Sequence, residues 1–162
     1  NVVATSMGEF KRMRAIQEGS VQVPGNWVLG ARPKMHMEKN PGFYMKHSGQ
    51  IRGFYTHLPN YVKNYTDFNC GHLATHYAVD MFKPKEAHLY GFNSMFDFDM
   101  TSCTDMILES DRGNSNNNRL ANNWRNIWPH VFNEFYDTEF VLYHKHDHIK
   151  MTLPKNVRIV TP

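Results

Sequence analysis

The segment Phe68–Asn93 constrains the fold most strongly, because it reads as one helix leading into one buried strand. Leu73, Tyr77 and Met81 recur every four residues, and this spacing gives a helix one apolar face. A proline then ends the helix, and the mostly apolar run Ala87–Phe92 has the length of a strand. A helix followed closely by a buried strand is the repeating unit of α/β folds.

Other segments alternate in the same way between strand and helix. Val2–Thr5 and Trp27–Ala31 are predicted as early strands, and Glu139–Tyr143 and Val157–Val160 as late ones. The apolar spacing over Arg119–Tyr136 predicts a long helix, which its internal proline would kink or split. The alternation therefore predicts an α/β protein: a single Rossmann-like layered domain with a mainly parallel central sheet flanked by helices.

Two segments are harder to interpret. Residues 32–65 are rich in Pro, Gly, His and Lys, and we predict short strands at Phe43–Lys46 and Gly53–Thr56. Residues 94–118 form a long polar loop, and in a small domain such a loop is usually a functional lid or a mobile segment. We predict one α/β domain over residues 1–162. The chain starts at an asparagine rather than a methionine, so we leave open whether an N-terminal segment is missing.

Composition excludes several classes of protein. At 41% hydrophobic and 14% aromatic residues the chain can bury a core and is not typical of disorder. The net charge of +3, without a dense basic run, does not favour a nucleic-acid partner. No apolar run reaches the roughly 18 residues that cross a bilayer, and two cysteines do not make a secreted disulfide framework. We therefore predict a cytoplasmic protein without a transmembrane segment, and we leave open whether it forms a homo-oligomer.

Two turns are predicted to meet where α/β proteins bind ligands, beyond the carboxyl ends of the strands. The chain passes there at Asn69–Gly71 and Gly91–Asn93. Unpaired N–H groups at a helix N-terminus attract phosphate or carboxylate, and a glycine lets ligand atoms approach the backbone. An earlier capping-box pattern, Ser6 with Glu9, begins another helix in the same way. The alternative is ordinary helix capping. The predicted nucleotide-binding residues are Ser6, Asn69, Cys70, Gly71, Gly91 and Asn93.

Histidines form two further groups. His72 and His76 share one helix face at a spacing found in metal-binding helices, although solvated or interface histidines are the favoured interpretation. On a strand, His144, His146 and His148 would point to one side. Three imidazoles could hold zinc or a similar metal there, or they could line the polar end of an edge strand.

Asp97 and Asp99 alternate with phenylalanines. Paired carboxylates can bind a divalent cation or act as acid and base, but they also fit the solvent face of a short strand. Together with the histidines at positions 144, 146 and 148, they support a metal-dependent phosphoesterase as an alternative function. A non-catalytic binding domain is the third interpretation.

Asn69–Asn93 resembles a segment of the bacterial lipooligosaccharide sialyltransferases and related sialyltransferase-like glycosyltransferases. In that family a Ser-Gly pair opens a helix of small and apolar residues, and the next strand ends in Gly-Ile-Asp or Gly-Phe-Asp. Here Cys70-Gly71 and Gly91-Phe92-Asn93 stand at those positions. A looser similarity in the order of elements extends over residues 69–161. The family's serine is a cysteine in this chain, and its strand-end aspartate is an asparagine.

The resemblance implies a Rossmann-like fold that binds a cytidine nucleotide sugar and transfers the sugar to the hydroxyl of a glycan acceptor. No cofactor is predicted, and a divalent metal is left open without being favoured. By position, His144 or His146 is predicted as the catalytic base, with Tyr90 and Arg112 as substrate-contacting donors. Asn114–Asn116 stand where the family has its base histidine, so a diverged or inactive member is part of this prediction.

Overall fold

The fold is known from a computed structural model, which describes residues 2–5, 15–20, 22–64, 67–96 and 117–162. These residues fall into two compact units, the first ending at His57 and the second beginning at Leu58. Each unit contains one parallel sheet together with helices. The α/β character predicted from the sequence is therefore confirmed, and the single domain over residues 1–162 stays a prediction.

The first unit is built on a parallel sheet of three strands in the order β1-β2-β3. These strands are β1 (Val2–Thr5), β2 (Asn26–Leu29) and β3 (Ile51–Phe54). Helices α1 (Ala31–Lys39) and α2 (Pro41–His47) connect β2 to β3. A crossover through helices is what parallel strands require, and the predicted early strands lie within one or two residues of those observed.

The strand predicted at Phe43–Lys46 is wrong, because this segment belongs to α2. Pro41 stands at the start of that helix, where its fixed backbone angle suits the first turn. Phe43 and His47 are one helical turn apart, with ring centroids 4.8 Å from each other, and the His47 ring lies 4.9 Å from that of Trp27. These ring contacts favour a helix in this segment. Its local composition did not reveal them.

The second unit contains a parallel sheet in the order β4-β5-β6. Its strands are β4 (Glu86–Tyr90), β5 (Glu139–Tyr143) and β6 (Val157–Val160). Helix α3 (Cys70–Phe82) precedes β4, and α4 (Asn117–Glu134) precedes β5. Strands β5 and β6 match the prediction residue for residue. Helix α4 continues through its internal proline and is not split.

The buried face of α3 differs from the predicted stripe of Leu73, Tyr77 and Met81. Met81 is 58% exposed, whereas His72 and His76 are only 0% and 2% exposed. The prediction of solvated or interface histidines is therefore wrong. Both imidazoles can be buried because each finds a hydrogen-bond partner on α4, and a buried polar group costs little once it is bonded.

His76 joins α3 to α4 through a carboxylate. Its Nε2 lies 3.1 Å from both carboxylate oxygens of Glu134, to which it donates. The hydroxyl of Tyr61 donates to the same carboxylate, and the Tyr61 ring stacks on His130 at 5.1 Å. This network fixes the packing of α3 against α4. None of the helices in the described part of the chain is both long and apolar enough to span a membrane.

Candidate functional site

The turn after β4 meets the first turn of α3. A Cβ atom built on Gly71 would lie 2.6 Å from Cε1 of Phe92, which is closer than real side chains approach. Only glycine therefore fits at position 71 without displacing the ring. Gly91 precedes Phe92 and has a φ of +78°, a left-handed conformation that glycine adopts without strain. The two turns singled out in the sequence thus lie side by side at the carboxyl end of β4, an edge that we call the rim.

A capping box fixes the first turn of α3. The Asn69 side-chain oxygen accepts from the N–H of His72 at 3.0 Å, and Nδ1 of His72 accepts from the N–H of Asn69 at 3.1 Å. Histidine here does what glutamate or glutamine does in the usual capping box. Because Nδ1 is an acceptor, the ring proton lies on Nε2, which donates to the carbonyl of Trp124 at 3.0 Å. The tautomer of His72 is therefore defined by its partners.

His72 is held neutral. Burial lowers the pKa of its imidazole to about 3, against a smaller raising effect of the hydrogen bond to the Trp124 carbonyl. Its ring stacks on Phe68 at 5.5 Å and tilts against Trp128 at 4.5 Å. The base of the rim is consequently an uncharged aromatic layer. In the sequence, the capping box is visible as an asparagine three residues before a histidine at a helix start. The prediction did not use this signal.

The capping box leaves the early amides of α3 directed towards the rim. The first N–H groups of a helix have no carbonyl partner within the helix, and Asn69 takes up that of His72. The amides of Cys70 and Gly71 precede it in the same turn. Cys70 is half-buried at this turn. Such a helix end favours an anion through its N–H groups and its dipole.

A buried arginine braces the turn that follows β4. This turn, Asn93–Met95, is a short 3-10 helix. Nε of Arg125 donates to the carbonyl of Ser94 at 3.0 Å, and the side chain is 5% exposed. Asn93 is exposed at the start of the turn. The sequence carries no signal for this role of Arg125, since nothing local links it to a carbonyl 31 positions away.

Phe96 connects the turn after β4 to the segment after β5. Its ring stacks on His144 at 4.1 Å with 13° between the planes, and His146 stands at 90° to His144 at 4.5 Å. Strand β5 ends at Tyr143, as predicted, so these histidines follow the strand and do not lie on it. Since parallel strands end at the same edge, the two predicted catalytic histidines follow the sheet at the rim.

The histidine run shows no metal cage in the part of the chain that the structure describes. There, no three His, Cys, Asp or Glu side chains are arranged to hold an ion. His148 is mostly exposed beside Asp147. Asp97 and Asp99 lie outside the described residues, as do Ser6 and Arg112. The predictions for those four residues stay predictions.

The rim therefore gathers several of the predicted residues. Asn69, Cys70 and Gly71 meet the Gly91–Asn93 turn through Phe92, and His144 and His146 surround the nearby Phe96. Tyr90 alternates along β4 with the buried Leu89 and so faces the other side of the sheet.

Comparison of the chain with protein-family models, with curated proteins and with solved structures finds no match in any of the three.

Proposed function

We propose that this chain carries a Rossmann-like glycosyltransferase domain. It binds a nucleotide sugar of the cytidine type at the rim and transfers the sugar to a hydroxyl of a glycan acceptor. The observation that carries the proposal is the contact of Gly71 with Phe92. This contact joins the helix start to the strand-end turn, and these are the two segments in which the sequence resembles the sialyltransferase-like enzymes.

Donor binding follows from the groups at the α3 N-terminus. The phosphate of the nucleotide accepts hydrogen bonds from first-turn amides of α3, among them that of Gly71, and the helix dipole adds a favourable field. Asn93 stands at the exposed start of the neighbouring turn. Its side-chain amide can both donate and accept, which suits a ribose hydroxyl or a pyrimidine edge. An asparagine at this position makes the site neutral where a carboxylate would repel phosphate.

Transfer requires a base and a stabilised leaving group. The acceptor oxygen attacks the anomeric carbon while an imidazole, His144 or His146, takes its proton. The bond between the anomeric carbon and the phosphate oxygen breaks, and the nucleotide departs with the electron pair. The α3 amides stabilise the charge that develops on the departing phosphate. The imidazolium then returns its proton to solvent.

A thermal-shift comparison of nucleotides tests the proposal. Cytidine monophosphate is expected to raise the melting temperature more than the adenosine, guanosine and uridine analogues do. A ligand at 100 times its dissociation constant adds about 2.7 kcal/mol to the free energy of unfolding. Gly71→Ala should abolish this shift, since its methyl group would force Phe92 or the first helical turn to move. Gly42→Ala is the matched control, because nothing lies within 4 Å of a Cβ at that position. Absence of stabilisation by every nucleotide at millimolar concentration would refute the proposal.

A further inference from the structure

We propose that Tyr90, stacked on Tyr143, forms an aromatic platform that binds a pyranose ring of the acceptor glycan. The platform deepens the function proposed above and rests on it for the word acceptor. Both tyrosines end their strands and are paired in register, Tyr90 on β4 with Tyr143 on β5. They lie on the face of the sheet opposite to the buried Leu89 and Leu142, and the chain continues directly from Tyr143 into His144 at the rim.

The stacking leaves one tyrosine face open. The two rings lie 4.2 Å apart with 9° between their planes. One face of Tyr90 is therefore covered by Tyr143, yet Tyr90 remains 66% exposed. An exposed ring held flat by a neighbour loses little conformational entropy on binding, which is why tyrosine is favoured at binding surfaces.

A hydrogen-bond chain orients the platform. Nε2 of His88 lies 3.2 Å from the Glu86 carboxylate, and Nδ1 lies 3.0 Å from the Tyr143 hydroxyl. A carboxylate only accepts, so Nε2–H donates to Glu86. The contact between Nδ1 and the Tyr143 hydroxyl links the imidazole to the stacked tyrosines. A side-chain hydrogen bond with Tyr143 is the largest cause that raises the pKa of the Tyr90 hydroxyl.

The chemistry of the surface fits a sugar. A pyranose presents a patch of C–H groups on one face and hydroxyls around its edge. The C–H patch can pack on the open face of the Tyr90 ring, which is the negative part of the ring's quadrupole. The Tyr90 hydroxyl can donate to or accept from a sugar hydroxyl. His88 and Glu86 are half-exposed beside the tyrosines and add further polar contacts. Ligand sites characteristically combine an aromatic surface with a few placed polar groups.

Saturation-transfer difference NMR on the full chain tests the platform, with methyl β-glucopyranoside and methyl β-galactopyranoside as probes, each with and without cytidine monophosphate. We expect saturation of the C–H protons on one sugar face. Tyr90→Ala should weaken binding about fivefold to tenfold, the equivalent of roughly 1 kcal/mol for an aromatic contact. Tyr90→Phe keeps the stacking face and should stay within about threefold of the wild type. Tyr136→Ala, which removes an exposed tyrosine that precedes β5 and does not lie at its carboxyl end, is the control.

The outcomes separate this inference from the proposed function. If no pyranoside is saturated under either condition while cytidine monophosphate still stabilises the protein, the platform is refuted and nucleotide binding survives. If pyranosides bind through Tyr90 but no nucleotide binds, the platform stands and the transferase does not. If the cytosine protons are saturated and Tyr90→Ala weakens the nucleotide instead, the platform serves the nucleobase and the inference is overturned.

Discussion

Replacing His72 with glutamine should reduce by about one the number of protons that the chain takes up when it unfolds below pH 6.5. The structure holds this imidazole neutral, because burial lowers its pKa to about 3 from the ordinary 6.5. The unfolded chain binds a proton at this position below pH 6.5, whereas the folded chain does not do so until about pH 3. Stability from this group is therefore fully present above pH 6.5 and decreases as the pH falls towards 3.

The magnitude follows from the pKa difference. Each pH unit within this window changes the free energy of unfolding by about 1.4 kcal/mol per proton. Between pH 6.5 and pH 4.5, His72 alone should cost the wild type roughly 2.7 kcal/mol. Glutamine does not titrate, and its amide can still donate to the Trp124 carbonyl. It should cost about 1 kcal/mol at pH 7, because the ring contacts of the imidazole with Phe68 and Trp128 are lost.

Urea unfolding at several pH values between 4.5 and 7.5 measures the effect. The difference in stability between wild type and His72→Gln should shrink as the pH falls and then reverse in sign near pH 6 to 5. His148→Gln is the control, because its side chain is 90% exposed and its removal should leave the pH slope unchanged. Equal slopes for the wild type and His72→Gln would refute the account of a neutral, buried histidine at the start of α3.

Three other substitutions test the rim. His144→Gln or His146→Gln should slow sugar transfer by about 100-fold or more, the usual contribution of a general base, and leave nucleotide affinity unchanged. If both variants transfer the sugar at the wild-type rate, neither histidine is the base. Arg125→Met should lower the free energy of unfolding by about 1–3 kcal/mol, since the Ser94 carbonyl loses its donor. Arg158→Met, which removes an exposed ion pair with Glu139, should cost less than about 1 kcal/mol in the same denaturation assay.

Local sequence patterns predicted the strands and the long helices well. Strands β5 and β6 are short β-branched or aromatic runs bounded by polar residues, and hydrophobic periodicity identifies such segments without knowledge of their partners. The close approach of residues 71 and 92 was predicted from topology, because ligand-binding turns of an α/β sheet collect at the carboxyl ends of strands. Helix α2 was missed, since its packing against Trp27 is a tertiary contact that overrides local propensity.

Burial of the α3 histidines could not be read from the sequence for the same reason. His72 bonds to a carbonyl 52 positions away, and His76 to a carboxylate 58 positions away. An imidazole without a known partner is reasonably assigned to the surface, because burying it unpaired is costly. The stacking of Phe96 on His144 is likewise a contact between separate segments, so sequence reasoning predicted where β4 and β5 end but not the ring contact between the segments that follow them.

The proposed binding site for the nucleotide phosphate is the set of amides at the start of α3. Titration of the ¹⁵N-labelled protein with cytidine monophosphate, followed through backbone amide chemical shifts, locates the bound nucleotide residue by residue. We expect the largest shifts on Cys70, Gly71 and the Gly91–Asn93 turn, with saturation. Shifts confined to other parts of the chain, or none at millimolar nucleotide, would contradict it.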